Sequence, residues 1–332
     1  MKQNKYSNLG IKPYQKGLCD LGNHTYGYLQ PDGGWGWSNA GLVCDEEESL
    51  IVDTLFDENL TNVMLGDMKS AEPKAMKNTV ALINSHSNGD HCNGNNCVET
   101  SEIISSQATL EEMAHESPET MENLLNAAPN MGELGQFFLK CFGHFDFKNV
   151  TRKLPNSTFN GETSRKVGDK EVKLFEVGPA HTNGDVIVFV PDDKVVFTGD
   201  ILFIEGHPIL WAGPVSNWIN ACNRIIALDV ESVVPGHGPL TDKAGVTRVR
   251  DYLAYVLNEA SARQAQGMDA FDAAREICAD ILGDPKKSFA TWKEFGRISV
   301  NVDTVYRSKD ATHKSPDVVE QFRRMAQLEN QH

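Results

Sequence analysis

The sequence predicts an α/β fold in which strands end in metal-capable side chains. Two β-patterned regions, about 24–83 and about 171–198, are each followed by helix-patterned sequence, the layout of stacked α and β layers. Short apolar runs end in His or Asp: Thr79-Val-Ala-Leu-Ile83 before His86, Val195-Val196-Phe197-Thr198-Gly199-Asp200, and Val233-Val234-Pro235-Gly236-His237. Pro179-Ala180-His181 supplies another imidazole in the same way. Beyond Pro239 the periodicity is helical.

Residues 24–30, 36–44 and 50–56 read as strands of an antiparallel sheet, separated by Pro31-Asp-Gly-Gly34 and by an acidic turn over 45–48. Residues 58–78 and 93–150 read mainly as helix, with Ser117-Pro-Glu119 as an N-cap followed by Pro at the first helical position. The 101–160 stretch is an insertion between ligand motifs. Its Met121, Leu124, Leu125, Met131, Phe137, Phe138 and Leu139 suit an apolar pocket wall and plain core packing equally. Strands resume over 171–177, 186–191 and 194–198, with Pro191-Asp-Asp193 as the hairpin turn. Residues 216–228 form a helix with Trp218, Ile219, Cys222, Ile225 and Ile226 on one face. Two further stripes follow, Val249, Tyr252, Leu253, Val256 and Leu257, then Phe271, Ala274, Ile277, Cys278 and Ile281. Ser315-Pro316 is expected to cap a last helix running through Leu328.

A chain of 332 residues can bury a sizeable core. With 31 Lys and Arg against 46 Asp and Glu, the formal net charge of −15 argues against nucleic acid and anionic membrane surfaces as partners. The segment Met1 to Asn8 lacks the apolar core of a signal peptide and no run is long enough to span a bilayer, so a cytoplasmic location is expected. Seven cysteines at 19, 44, 92, 97, 141, 222 and 278 form neither a disulfide framework nor a paired Cys-x-x-Cys zinc site. Cys92 adjoins His91 and so is a candidate ligand or oxidation-sensitive neighbour, although an ordinary packing role in its turn is the simpler reading.

The motif order His86-x-Asn88-x-Asp90-His91, His181, Asp200, His237 resembles the metallo-β-lactamase-fold metallohydrolase superfamily over roughly residues 20–245. One position departs: Asn88 stands where the family has the loop's second His. Together with Gly206-His-Pro-Ile209 and Gly213-Pro-Val-Ser-Asn-Trp218, the loop is also similar to a branch of that superfamily that includes chlorothalonil hydrolytic dehalogenase. The resemblance implies a four-layer α/β/β/α sandwich with a helical insertion and a helical C-terminal extension. On that reading residues 1–245 are the catalytic domain, with the insertion at about 101–160, and 246–332 are an extension packed on the same domain. It further implies two metal positions, one held by His86 and His181, the other by Asp90, His91 and His237, with Asp200 bridging.

An amide oxygen is a poorer zinc donor than imidazole, so one tight Zn2+ per chain is expected, the second weaker or absent. The implied activity is hydrolysis of a small-molecule electrophile by hydroxide on zinc, the electrophile being an ester, lactone, amide, thioester or activated haloaromatic. Asp90 is the candidate catalytic carboxylate, orienting or deprotonating the water if it is not fully engaged as a ligand. Asn88, Asn183, His207, Trp35 and Trp37 are candidates for a weak ligand or substrate contact, the two Trp as a flap or else as a capped hairpin tip. His24, His115, His144, His313 and His332 lie outside the motifs and read as surface or packing residues. Two other readings stay open: a degenerate fold keeping one metal for structure or ligand binding, and an iron-dependent oxidoreductase. The C-terminal stripes are compatible with a homodimer.

Overall fold

Apolar β-branched runs build the centre of the molecule, and the computed structural model describes residues 8–148 and 150–331 of it. The reading of the N-terminal octapeptide and of His332 therefore falls, apart from Asn8, outside the described residues. The first sheet runs in order β1 (Gly17–Asp20), β2 (Thr25–Leu29), β3 (Ala40–Asp45), β4 (Glu48–Val52), β5 (Thr79–Ile83), β6 (Ile103–Ser106) and β7 (Ser157–Phe159). Its first four strands are antiparallel; β5 to β7 add in parallel. The second sheet orders β12 (Ser232–Val234), β11 (Val195–Phe197), β10 (Val186–Val190), β9 (Lys170–Glu176) and β8 (Glu162–Val167). It is antiparallel except where β12 joins β11.

The sheets face each other across one apolar layer, in which Val43, Leu50, Val52 and Ile83 of the first pack with Val172, Leu174, Val188, Phe197 and Val234 of the second. Successive side chains of a strand point to opposite faces, so each sheet also has an outer apolar face to cover. On the first, Leu42, Ile51 and Leu82 pack against Met64 and Met68 of α1 (Glu58–Ala71). On the second, Ile187, Phe189 and Val196 pack with Trp218 and Ile225 of α6 (Val215–Ala227) and with the buried stripe of α7 (Lys243–Ala265). The result is the four-layer α/β/β/α sandwich. Among the described residues no helix is long and apolar enough to cross a membrane.

Five departures have local causes. β1 was not expected. The region read as continuous helix contains β6, then α3 (Gln107–His115), α4 (Pro118–Ala127) and α5 (Gly132–Phe142), so the insertion's helices occupy 107–142 and strands flank them. Residues 34–37 form a turn, with the Trp37 amide donating to the Gly34 carbonyl, and Ser38 bridges to His237 before β3 begins at Ala40. The expected Pro191–Asp193 turn is a single 3-10 turn closed by Lys194 at φ 52°. The last helix α10 (Val318–Gln331) follows Asp317, whose Oδ1 accepts the Glu320 amide at 2.8 Å, while the Ser315 hydroxyl bonds Asp303 instead. Ser315-Pro316 is thus a lead-in, not the cap. Helices α8 (Ala270–Leu282) and α9 (Ile298–Lys309) complete the layer; α7 starts at Lys243 and runs through position 245 without a break.

Candidate metal centre

The polar cluster forms where strand ends of both sheets meet. After β5 the chain turns through Ser85 and His86 into the one-turn helix α2 (Gly89–Cys92), which carries Asp90 and His91 behind Asn88 at its N-cap. His181 sits in the loop between β9 and β10, where the Thr182 amide and hydroxyl both donate to Asp185. Asp200 lies in the 3-10 turn Gly199–Ile201 after β11, and His237 follows β12. Gly236 is needed there: a Cβ on it would overlap the Asp200 carboxylate and the Gly199 backbone.

The six side chains fall into two sets, His86 with His181 and Asp200, and Asp90 with His91 and His237, the ligand atoms of each within 4.8 Å of one another. Asp200 belongs to both. Its Oδ2 is 3.3 Å from His181 Nε2 and 3.7 Å from His86 Nε2, and its Oδ1 is 3.0 Å from His91 Nε2 and 3.5 Å from His237 Nε2. Asp90 Oδ2 stands 3.2 Å from His237 Nε2 and 3.9 Å from His91 Nε2.

The imidazoles are aimed by their other nitrogens. His181 Nδ1 donates to the Ile209 carbonyl at 2.8 Å, His91 Nδ1 pairs with Asp53 Oδ2 at 2.9 Å, and His86 Nδ1 lies 3.0 Å from Ser85 Oγ. Nε2 of His86 and His91 and Oδ1 of Asp200 are buried without a hydrogen-bond partner. Buried polar atoms are normally paired, so orphaned nitrogen and oxygen atoms converging on two points fit a divalent cation of the zinc type. Burial holds His86 and His181 below the usual histidine range, in the neutral form that offers a lone pair. For His237 burial works the same way, but Asp200 and Asp90 outweigh it and push the group up to about 9.

The cluster forms the floor of a cavity of about 580 Å³ that includes Asn88, Asp90, His181, Asp200 and His237 on its lining. Six aromatic side chains line it, Trp35, Phe56, Phe142, Phe203, Trp211 and Phe322, with Glu112, Glu116, Arg152 and Arg297 among the charged groups beside them. Phe203 stacks flat on His237, with ring centroids 4.9 Å apart.

The weaker candidates separate. Asn88 lines the cavity with Oδ1 2.7 Å from His181 Nε2, and Asn183 stands exposed at the rim, its amide group bonded to Glu112. Trp35 is on the wall but is no loose flap: its backbone N–H donates to Glu294 Oε1 at 3.0 Å and its ring covers the Arg297 guanidinium at 4.1 Å. Trp37 does not line the cavity; it packs on Phe145 with centroids 4.8 Å apart. His207 is not on the lining either. It is wholly buried against Tyr252 and Trp292, and burial pushes it down to about 3. Cys92 packs with its thiol on the Ser87 and Asn88 carbonyls, and burial pushes that thiol up to about 12, away from thiolate chemistry.

Sequence reasoning missed Asp53. It ends β4 at φ 62°, accepts the Ser85 amide at 2.6 Å and hydroxyl at 2.7 Å, and fixes His91. The signal was present, since Leu50-Ile-Val-Asp53 repeats the strand-then-acid pattern that flagged Asp200. His115, Glu116 and Arg152 of the insertion also line the cavity, with nothing in their local sequence to mark them.

The family model described as the metallo-beta-lactamase superfamily matches residues 33–237, a span that contains all six clustered residues. A hydroxyacylglutathione hydrolase from Brucella anthropi is 29% identical over 121 residues, 36% of this chain and 45% of that relative. Its namesake from Brucella ovis is 35% identical over 78 residues, 23% of this chain and 30% of that relative. The chain thus spans less than half the length of these curated relatives. Among solved structures, a stereoselective inverting sec-alkylsulfatase from Pseudomonas sp. superposes with a TM-score of 0.65 at 17% identity, over 88% of this chain and 50% of that one. A metallo-beta-lactamase from Pontibacter korlensis gives 0.53 at 18% identity, over 72% of this chain and 99% of that one. At such identities the superpositions establish the fold alone.

Proposed function

The chain belongs to the metallo-β-lactamase superfamily, and from that premise we propose that it is a zinc-dependent hydrolase acting on a small-molecule electrophile. The observation that carries this reading is the convergence of buried, partnerless Nε2 and Oδ atoms on the floor of an apolar cavity. Zinc held there would supply a water of lowered pKa, about 7 against near 15.7, and a Lewis acid for the electrophile. His86, His181 and Asp200 would hold one ion, and Asp90, His91, His237 and Asp200 the other. Asn88, a poorer donor than imidazole, would make the first position the weaker, so that Asp90, His91 and His237 would hold the tighter ion.

The chain's own groups then have defined tasks. Asp200 presents one oxygen to each set and fixes their spacing. Asp53, Ser85 and the Ile209 carbonyl fix ring orientation, so that each of His91, His86 and His181 turns Nε2 inward. Asp90, at the cavity floor, would orient or deprotonate a water through a carboxylate oxygen not engaged as a ligand. The aromatic wall keeps bulk water from the reacting atoms.

A structural metal needs only one closed set of four ligands, whereas two half-shared sets open onto a cavity, which favours catalysis over a degenerate fold. The hydroxyacylglutathione hydrolase relatives place thioesters beside esters, lactones, amides and activated haloaromatics among the electrophiles to be tried. We further propose that residues 1–245 carry the chemistry and that the C-terminal helices are part of the same body; their apolar stripes, which suggested a homodimer, are buried within the chain. Elemental analysis together with a substrate panel, with and without chelator, tests the assignment. About one zinc per chain and chelator-sensitive turnover are expected; stoichiometric iron, or turnover that survives complete zinc removal, refutes it.

A further inference from the structure

The cavity wall facing the ligand floor is completed by the C-terminal helix. Val318 and Phe322 of α10 line it. Phe322 is 7% exposed, with ring centroids 5.6 Å from Trp35, 6.0 Å from Phe142 and 6.2 Å from Trp211, all of them also on the lining. These are the separations of rings packed on one another, so the wall presents a continuous aromatic surface to the cavity; a planar guest laid on it gains ring–ring attraction beyond the area it buries, while a straight alkyl chain gains area alone. Both arginines on the lining already have a carboxylate partner: Arg297 pairs with Glu294 at 2.7 Å beneath Trp35, and Arg152 with Glu116 at 3.3 Å. A strongly charged guest would meet no free countercharge among these rings, and an unpaired buried charge is costly.

We infer that the cavity takes a compact, planar apolar group, an aromatic ring above all, attached to the electrophilic atom, and that Phe322 is the residue that sets this preference. The chemistry of the substrate rests on the hydrolase reading, but the shape preference can be read by binding alone. Product-like carboxylates are suitable probes, because their charged end reaches the ligand floor and their tail reports on the wall.

Zinc-loaded protein would be titrated with benzoate, acetate and decanoate by calorimetry. Benzoate should bind at least about tenfold more tightly than either of the others. Phe322→Ala should weaken benzoate about five- to twentyfold, leave acetate unchanged and admit decanoate. Phe322→Leu, which keeps an apolar side chain in the helix packing, should lose the aromatic preference with its circular dichroism unaltered. Equal binding of benzoate and acetate by the native protein overturns the inference, as does a Phe322→Leu protein with native preference. Turnover measured on the same samples separates the two proposals: benzoate selectivity in a protein that hydrolyses nothing upholds the pocket and removes the hydrolase.

Discussion

Asn88 sits where two demands on His181 meet. His181 Nδ1 is committed to the Ile209 carbonyl, which leaves Nε2 for a cation, and the Asn88 amide stands 2.7 Å from that same nitrogen. Asn88→His should therefore raise zinc binding from about one towards about two per chain, read by titration of the metal-free protein. An unchanged single-site isotherm would place the fault in the loop geometry instead. His237→Ala and Asp200→Ala should lose zinc and turnover together while circular dichroism holds, since both residues sit at strand tips. Cys92→Ala should keep turnover within about threefold, because its buried thiol is engaged with two carbonyls; loss of turnover with zinc retained would mean covalent catalysis. Asp53→Ala should cost about ten- to a hundredfold in zinc affinity by releasing His91. At this scale the six residues that cluster were singled out by the order of their motifs and the apolar runs before most of them, whereas Trp37 and His207 were left between pocket and packing because nothing local says which way a loop side chain turns.

Strands and helices were legible in proportion to how one-sided their burial is. The fully buried β10 and the broad apolar face of α6 stood out as patterns. Strand β8 did not: Glu162-Thr-Ser-Arg-Lys-Val167 buries only Val167 and reads as polar sequence, being an edge strand held by its ladder with β9. β7, three residues long, offers no period at all. Where the sheets meet, Gly41 is the tightest fit, since a Cβ there would run into the Phe197 ring. Gly41→Ala should destabilise the fold by about 1–3 kcal/mol in urea unfolding, without altering zinc stoichiometry. Gly236→Ala should do the reverse, sparing the sheet but displacing Asp200, so that zinc content falls first.

For the molecule as a whole, the cluster joins loops from both sheets, so an ion bound to it ties the sandwich together at one edge. Chelation should lower the melting temperature and added zinc restore it; free zinc at a hundred times its dissociation constant is worth about 2.7 kcal/mol. An unchanged melting curve would show that the site is empty or that it also binds the unfolded chain. The order of β and α patterns made the mixed α/β class legible, while the two-sheet, four-layer arrangement came from the family resemblance of the motifs. The aromatic wall was not, since it assembles Trp35, Phe142, Trp211 and Phe322 from points far apart in the chain, and no local pattern announces such a meeting.

That scattered origin gives the wall a place in time. About eighty residues separate His237, the last of the clustered groups, from Val318, where the closing helix starts. At a synthesis rate of about 5–20 residues per second, the floor and five of the six rings leave the ribosome roughly 4–16 s before Val318 and Phe322, which close the wall. An ion arriving in that interval meets an open bowl; one arriving later, or trying to leave, must pass the rings gathered around Phe322. Zinc added during synthesis is therefore expected to load faster than zinc added to the finished fold, a difference that metal uptake during cell-free translation would read.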